Sequence, residues 1–149
     1  MFDNTHVLKD AGAVTASGFG EVGAAAKVVN LGSGLVRLNL VLNISAIKCS
    51  AGDELYTIHL MGGSDASFTK TVSLCSKELG HNSVLQGNLD SKISRVVLAA
   101  QTEHSGTVYP YVRVRHVISG TSPSINYTAI MHKDLPERGW TDTIATTTT

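Results

Sequence analysis

The 149-residue chain has few cysteines, the residues that cross-link small proteins through disulfides or metal ions. It contains only two cysteines, Cys49 and Cys75, and they do not form a CxxC pair of the sort seen in zinc or redox sites. A chain of this length can bury roughly 68–70% of its unfolded surface, so it needs neither a disulfide nor a metal for stability. We therefore expect two partly buried thiols rather than a disulfide.

Charged residues are also scarce, at 16% of the chain, whereas about 25% is usual. Twelve basic residues balance twelve acidic ones. A neutral chain gains little from counterion release on nucleic acid and lacks the polybasic cluster that binds anionic membranes, so we expect neither partner. Zero net charge also removes a repulsion that opposes self-association.

Long apolar runs are missing as well. No run approaches the roughly 18 residues of a transmembrane helix. The first residues, MFDNTHVLKDAG, lack the apolar centre of a signal peptide. We therefore expect neither a transmembrane helix nor a signal peptide.

What the chain does have is alternation of apolar and polar residues, which is clearest in Leu35–Ile47. The apolar set expected to face a core comprises Val36, Leu38, Leu40, Leu42, Ile44 and Ala46. Period two over about twelve residues predicts a strand with one buried face. The mostly polar opposite face is typical of an antiparallel sheet.

Similar patterns follow along the rest of the chain. Strands are predicted at Glu54–Met61, Phe68–Cys75, Ile93–Thr102, Val108–Ile118 and Ser124–His132, with two more at Ala13–Thr15 and Glu21–Val29. Gly23–Leu31 is the one moderate helix candidate, and Ser76–Lys92 is predicted to be a long surface loop with one short strand at most. About eight strands with turn signals every 8–15 residues predict an all-β antiparallel sandwich or barrel. The charged and Thr-rich residues 133–149 predict a C-terminal arm, and residues 1–12 an N-terminal arm.

Gly18–Gly23 matches the dinucleotide pattern G-x-G-x-x-G. That motif needs a buried strand before it, a helix after it, and an acid about 20 residues further on. Position 43 is Asn, and no acid lies between Glu21 and Asp53. We interpret the segment as a glycine-rich turn or bulge and expect no bound cofactor.

Residues for catalysis or metal binding show no pattern. The six histidines occur singly, without HxH or HxxxH spacing, so we expect no metal site, and we expect His59 and His116 to be ordinary sheet histidines. Neither a G-x-S-x-G elbow nor a paired acid and base is present. We expect no enzymatic activity, although strands can bring distant histidines together, and a histidine metal site on a β-sandwich enzyme remains an alternative.

Two sets of residues are candidates for a partner interface. Tyr109, Tyr111, Arg113 and Arg115 form an aromatic and basic stripe on the predicted Val108–Ile118 strand. Tyr and Arg are enriched at protein interfaces. An RNA-binding sheet can look similar, and a solvated face is a third possibility. In the C-terminal arm, Trp140 with Ile144 can dock either on the protein's own domain or on a partner.

Three stretches resemble the small jelly-roll cement, or head-decoration, proteins of tailed bacteriophages. They are Ala13–Ser17 (AVTAS), Gly63–Thr69 (GSDASFT) and Tyr111–Met131 (YVRVRHVISGTSPSINYTAIM). The family pattern is an early AVT, a strand running into S-D-x-x-F, and then Y-hydrophobic-R leading to a G-T turn. The likeness covers about residues 7–132, whereas Gly80–Asp90 and the tail after Lys133 are longer than the family minimum.

The resemblance implies an eight-stranded jelly roll at residues 13–132 and a non-enzymatic role. Such proteins sit on the outer surface of the capsid and clamp neighbouring major capsid protein subunits, commonly as dimers. We therefore expect a homodimer, with a trimer as an alternative. The rival hypothesis from another class is a carbohydrate-binding β-sandwich, for which Tyr109 and Tyr111 would supply the aromatic surface.

Overall fold

The computed structural model describes residues 6–49, 51–80 and 95–132. Strands contain 63% of these residues, and none of them lies in an α-helix, so the prediction of an all-β antiparallel sandwich is confirmed. Fourteen strands are formed by the described residues: β1 Val7–Lys9, β2 Ala13–Val14, β3 Gly18–Phe19, β4 Glu21–Val22, β5 Ala25–Ala26, β6 Val29–Asn30, β7 Arg37–Ile47, β8 Leu55–Gly63, β9 Thr71–Gly80, β10 Arg95–Gln101, β11 Glu103–His104, β12 Thr107–Val108, β13 Tyr111–Ser119 and β14 Ile125–His132.

The strands form two antiparallel sheets and two small hairpins. In the first sheet the order is β1, β14, β7, β10, and β2 continues the β1 edge along β14. In the second sheet the order is β3, β13, β8, β9, and β6 continues the β3 edge along β13. The hairpins are β4–β5 and β11–β12. When each broken edge is counted as one strand, the molecule has two four-stranded layers.

The pairing is nested along the chain. The β1/β2 edge pairs with β14, the β3/β6 edge with β13, β7 with β10, and β8 with β9. When the eight strands are counted in chain order, with each broken edge as one strand, the first pairs with the eighth and the second with the seventh. The third pairs with the sixth, and the fourth with the fifth. This is the pairing of one long hairpin whose tip is the β8–β9 turn. The β14–β7 and β13–β8 pairs fold that hairpin into two layers.

The core lies between the layers and follows the predicted alternation of β7. Leu38, Leu40, Leu42 and Ile44 are buried there, and both Leu40 and Leu42 are fully enclosed. The second sheet contributes the fully buried Ile58, Leu60, Val112 and Val114. Val36, which we expected in the core, precedes β7 and is half-buried.

The alternation breaks at the end of β7. The register between β7 and β14 shifts at Asn126/Tyr127, so that Ile44 pairs with Tyr127 while Ala46 pairs with Asn126. A bulge of this kind reverses the inward and outward positions beyond it. Ile47 is therefore buried and Ala46 exposed, opposite to the prediction for Ala46.

Several predicted boundaries were wrong. β8 continues through Gly63, and β9 spans Thr71–Gly80 rather than Phe68–Cys75. The predicted Glu21–Val29 strand is instead the β4–β5 hairpin followed by β6, which also replaces the helix candidate. The predicted Val108–Ile118 strand is interrupted at Tyr109–Pro110, between β12 and β13.

Part of the predicted N-terminal arm belongs to the sandwich. Leu8 in β1 is fully buried in the core, because β1 pairs with β14. Cys49 is buried and Cys75 is half-buried, and no disulfide joins them. The C-terminal arm with Trp140 and Ile144, and most of the predicted Ser76–Lys92 loop, lie outside the described residues.

Candidate interaction surface

The outward face of β13 carries most of the predicted interface residues. Tyr111, Arg113 and Arg115 alternate with the buried Val112 and Val114, as predicted. Tyr109 is separated from them. A Cβ built on the core-facing Gly62 would lie 2.9 Å from the Cβ of Tyr109, which places this part of Tyr109 on the inner side of the sheet. We name the outward surface around Arg113 and Arg115 the arginine face; its members are Phe19, His59, Phe68, Tyr111, Arg113, Arg115 and Val117.

Arg113 lies between two phenyl rings at the centre of the arginine face. Its Cζ is 3.8 Å from the ring centroid of Phe19 and 4.1 Å from that of Phe68. Each such cation–π contact contributes about 0.5–2 kcal/mol, depending on its exposure. The Arg113 Nε is buried without a hydrogen-bond partner. Burial, and then the charge of Arg115, lower the pKa of Arg113.

The β8–β9 turn places Phe68 against Arg113. Asp65 organises this turn, because its Oδ1 accepts hydrogen bonds from the backbone N–H groups of Ser67 and Thr69, at 3.0 and 3.1 Å. Hydrogen bonds from Thr69 are the main reason that the pKa of Asp65 is lowered. Phe68 has a φ of 53°, and its ring lies on Gly63, where a Cβ would collide with it. The S-D-x-x-F residues therefore build a turn whose aromatic ring packs back onto the sheet.

The glycine-rich segment Gly18–Gly23 positions Phe19 on the other side of Arg113. Phe19 pairs with Arg115 across β3 and β13, and it is 40% exposed. Gly20 passes so close to β1 that a Cβ there would lie 2.5 Å from the carbonyl oxygen of Leu8. Gly23 and Ala24 both have positive φ, at 62° and 64°, which is the geometry of a tight hairpin turn. The segment therefore forms an edge strand and a hairpin, in place of the strand and helix of a dinucleotide site.

Within the described residues, neither Arg113 nor Arg115 forms an ion pair with an acidic side chain; Glu78, which is exposed on the same face of this sheet, lies two strands away on β9. His59 on β8 lies directly opposite Arg115 on β13. Burial and the charge of Arg115 both lower the pKa of His59, whose Nδ1 is 3.0 Å from the Ser73 Oγ. For Arg113 and His59 the charged neighbour is thus another cation. Phe19 and Val117, which are 40% and 37% exposed, add apolar surface beside these charges.

A second polar cluster is buried between the layers. The His116 Nδ1 and the Tyr127 hydroxyl share a hydrogen bond of 2.9 Å. The Lys9 Nζ lies 4.4 Å from the centroid of the Tyr127 ring and donates to the carbonyl oxygens of Asp10, Gly12 and Tyr127. No sequence pattern indicates a buried lysine here, because a charged residue at the end of a short edge strand normally points to solvent.

Burial sets the ionisation of this cluster. It lowers the pKa of His116 to about 4, with a further contribution from the charge of Lys9, and it raises the pKa of Tyr127. Burial also lowers the pKa of Lys9. The three backbone acceptors occupy the Lys9 ammonium group, and the bond to Tyr127 fastens β1 to β14.

The described ranges contain no group of three or more potential metal ligands. No helix in the same ranges is long and apolar enough to cross a membrane. The fold and its surface thus define a class, an antiparallel β-sandwich with an aromatic and basic outer face. No protein-family model matches the chain, and no curated protein matches it.

Proposed function

We propose that this chain is a structural virion protein that binds the outside of a phage capsid and cements neighbouring subunits of the major capsid protein. The observation that carries the proposal is the contact between the stretches that resemble cement proteins. Phe68 of the second stretch packs on Arg113 of the third. Ala13 and Val14 of the first stretch pair with Asn126 and Ile125 of the third.

These contacts connect the three motifs of the resemblance within the fold. Residues of the three motifs lie far apart in sequence, yet they meet in one folded unit, as expected if the motifs encode the same scaffold. The nested pairing of eight strands in two layers further supports a jelly roll, which is an eight-stranded double sheet of this kind. The proposed fold and the proposed role are thus linked through particular residues.

The arginine face supports a role in protein contact. It combines arginine with phenylalanine and tyrosine side chains on one sheet, and arginine and aromatic residues are enriched at protein interfaces. A cement protein also needs a rigid body, which the shared core of the two sheets supplies. Many copies on one shell multiply weak individual contacts. We propose homodimers as the attached form, with trimers as the alternative.

A direct test uses undecorated shells of the major capsid protein of the same phage. The purified protein is mixed with shells, and bound protein is measured by co-sedimentation over a concentration series. We expect saturable binding at a fixed number of copies per subunit, together with a higher melting temperature of the shell. Absence of binding to the shells would refute the proposal. Specific binding on a glycan array without shell binding would favour the carbohydrate-binding alternative.

A further inference from the structure

The arginine face presents two arginines that form no ion pair within the described residues. Arg113 and Arg115 are two residues apart on one face of β13, and the charged group that lowers the pKa of Arg113 is Arg115. In a chain with equal numbers of acidic and basic residues, two arginines on one strand face, with no described carboxylate paired to them, are a local excess of positive charge. Such a surface recruits a partner of opposite charge.

We propose that Arg113 and Arg115 form the docking site for an extended acidic segment of the partner, with carboxylates at alternate positions. This inference rests on the proposed function in taking that partner to be the capsid protein. Side chains two residues apart on a strand are separated by about 7 Å. An extended peptide has the same repeat, so alternate carboxylates can meet the two guanidinium groups together.

The side chain of Arg113 is preorganised for such a ligand. The rings of Phe19 and Phe68 pack against its guanidinium group, and its Nε is buried. An incoming carboxylate would therefore meet the terminal Nη groups, which can donate two parallel hydrogen bonds. Because the side chain is already ordered, binding loses less conformational entropy than it would with a freely moving arginine.

An acidic peptide fits this surface better than a nucleic acid. Nucleic-acid affinity grows with the number of phosphates that a protein neutralises, and the site offers only two arginines on a chain of zero net charge. The exposed parts of Phe19 and Val117 flank the arginines. They can contact the uncharged side chains of a peptide that lies across the strands.

The first experiment measures shell binding by three variants at several salt concentrations. Arg115→Gln removes an exposed charge. Arg113→Lys keeps the charge but removes the planar guanidinium group, which can donate two parallel hydrogen bonds. Arg37→Gln is the matched control, because Arg37 is also exposed on a strand but belongs to the other sheet. We expect about three- to tenfold weaker binding for the first two variants at low salt and no change for the control. The affinity of the wild type should fall more steeply with salt than that of Arg115→Gln.

The second experiment needs no shell. The wild-type protein is titrated by NMR with a decapeptide of alternating Glu and Thr, with the corresponding Lys and Thr peptide, and with decathymidylate. We expect shifts of the β13 and β8 amides with the Glu peptide only, and a loss of these shifts in Arg115→Gln. The inference is wrong if the Glu peptide leaves β13 unchanged, or if decathymidylate binds more tightly.

The two experiments separate the inference from the proposed function. If the wild type binds shells and Arg115→Gln binds them equally at every salt concentration, the docking site is refuted while the cement role stands. If the wild type does not bind shells, the cement role fails, and the peptide titration alone then decides whether the site takes acidic segments. Melting curves of each variant show whether lost binding reflects lost folding.

Discussion

Mild acid should destabilise this protein through His116. The side chain is 4% exposed and faces Tyr127 on β14, Lys9 on β1 and Gly18 on β3. Burial and the positive charge of Lys9 oppose protonation, which lowers the pKa to about 4 in the folded protein. The unfolded chain takes up the proton near pH 6.5.

The size and direction of the effect follow from these two values. Below pH 6.5 the unfolded state binds a proton that the folded state does not, so the free energy of unfolding falls as the pH falls. The loss continues down to about pH 4, where both states are protonated. At 1.36 kcal/mol for each unit of pKa difference, the total is on the order of 3 kcal/mol. The stabilisation is complete above pH 6.5.

Urea unfolding at intervals between pH 7.5 and pH 4 measures this loss. His116→Leu should be less stable than the wild type at pH 7.5, by about 1–3 kcal/mol, because the Tyr127 hydroxyl loses its partner. Its free energy of unfolding should nevertheless vary less with pH. Between pH 6.5 and pH 4 the slope should correspond to about one bound proton fewer than in the wild type. His104→Leu, in the exposed β11–β12 hairpin, is the matched control. Equal pH slopes for the wild type and His116→Leu, or an NMR titration of His116 near pH 6.5, would refute the reasoning.

Three further predictions concern the core, the β8–β9 turn and the C-terminal arm. Leu40→Ala should lower the free energy of unfolding by roughly 2–5 kcal/mol, measured by urea unfolding, because it empties a fully enclosed site. Gly63→Ala should displace the Phe68 ring and reduce both stability and shell binding, whereas Gly34→Ala, where a Cβ meets open space, should leave both unchanged. Removal of the C-terminal arm, or Trp140→Ala, should leave the melting temperature nearly unchanged and lower the occupancy on undecorated shells; equal occupancy for all forms would show that the arm takes no part in attachment.

The fold was predictable from the sequence where a long strand has one solvent-exposed face. In β7 the alternation identified Leu38 to Ile44 as core residues, because solvent contact and burial impose period two on a strand. It failed at Ala46 because the bulge depends on the pairing with β14, which local pattern does not reveal. Short edge strands such as β1 were missed because two or three residues carry no periodic signal.

The interaction surface was predictable only in part. The position of Arg113 and Arg115 on one face followed directly from strand periodicity. Phe68 was predicted to begin the Phe68–Cys75 strand, but the hydrogen bonds of Asp65 hold it in a turn on the outer face. Its contact with Arg113 links two residues that are far apart in sequence, and only the folded topology brings them together.

An electron cryo-microscopy map of wild-type protein bound to undecorated shells tests the central claim most directly. The account predicts density for the sandwich at symmetry-related positions on the outer surface, bridging neighbouring capsid subunits, with Arg113 and Arg115 turned toward an acidic segment of the shell. Shells that remain bare at saturating protein would contradict the cement role. Bound protein whose arginine face points to solvent would contradict the proposed docking site.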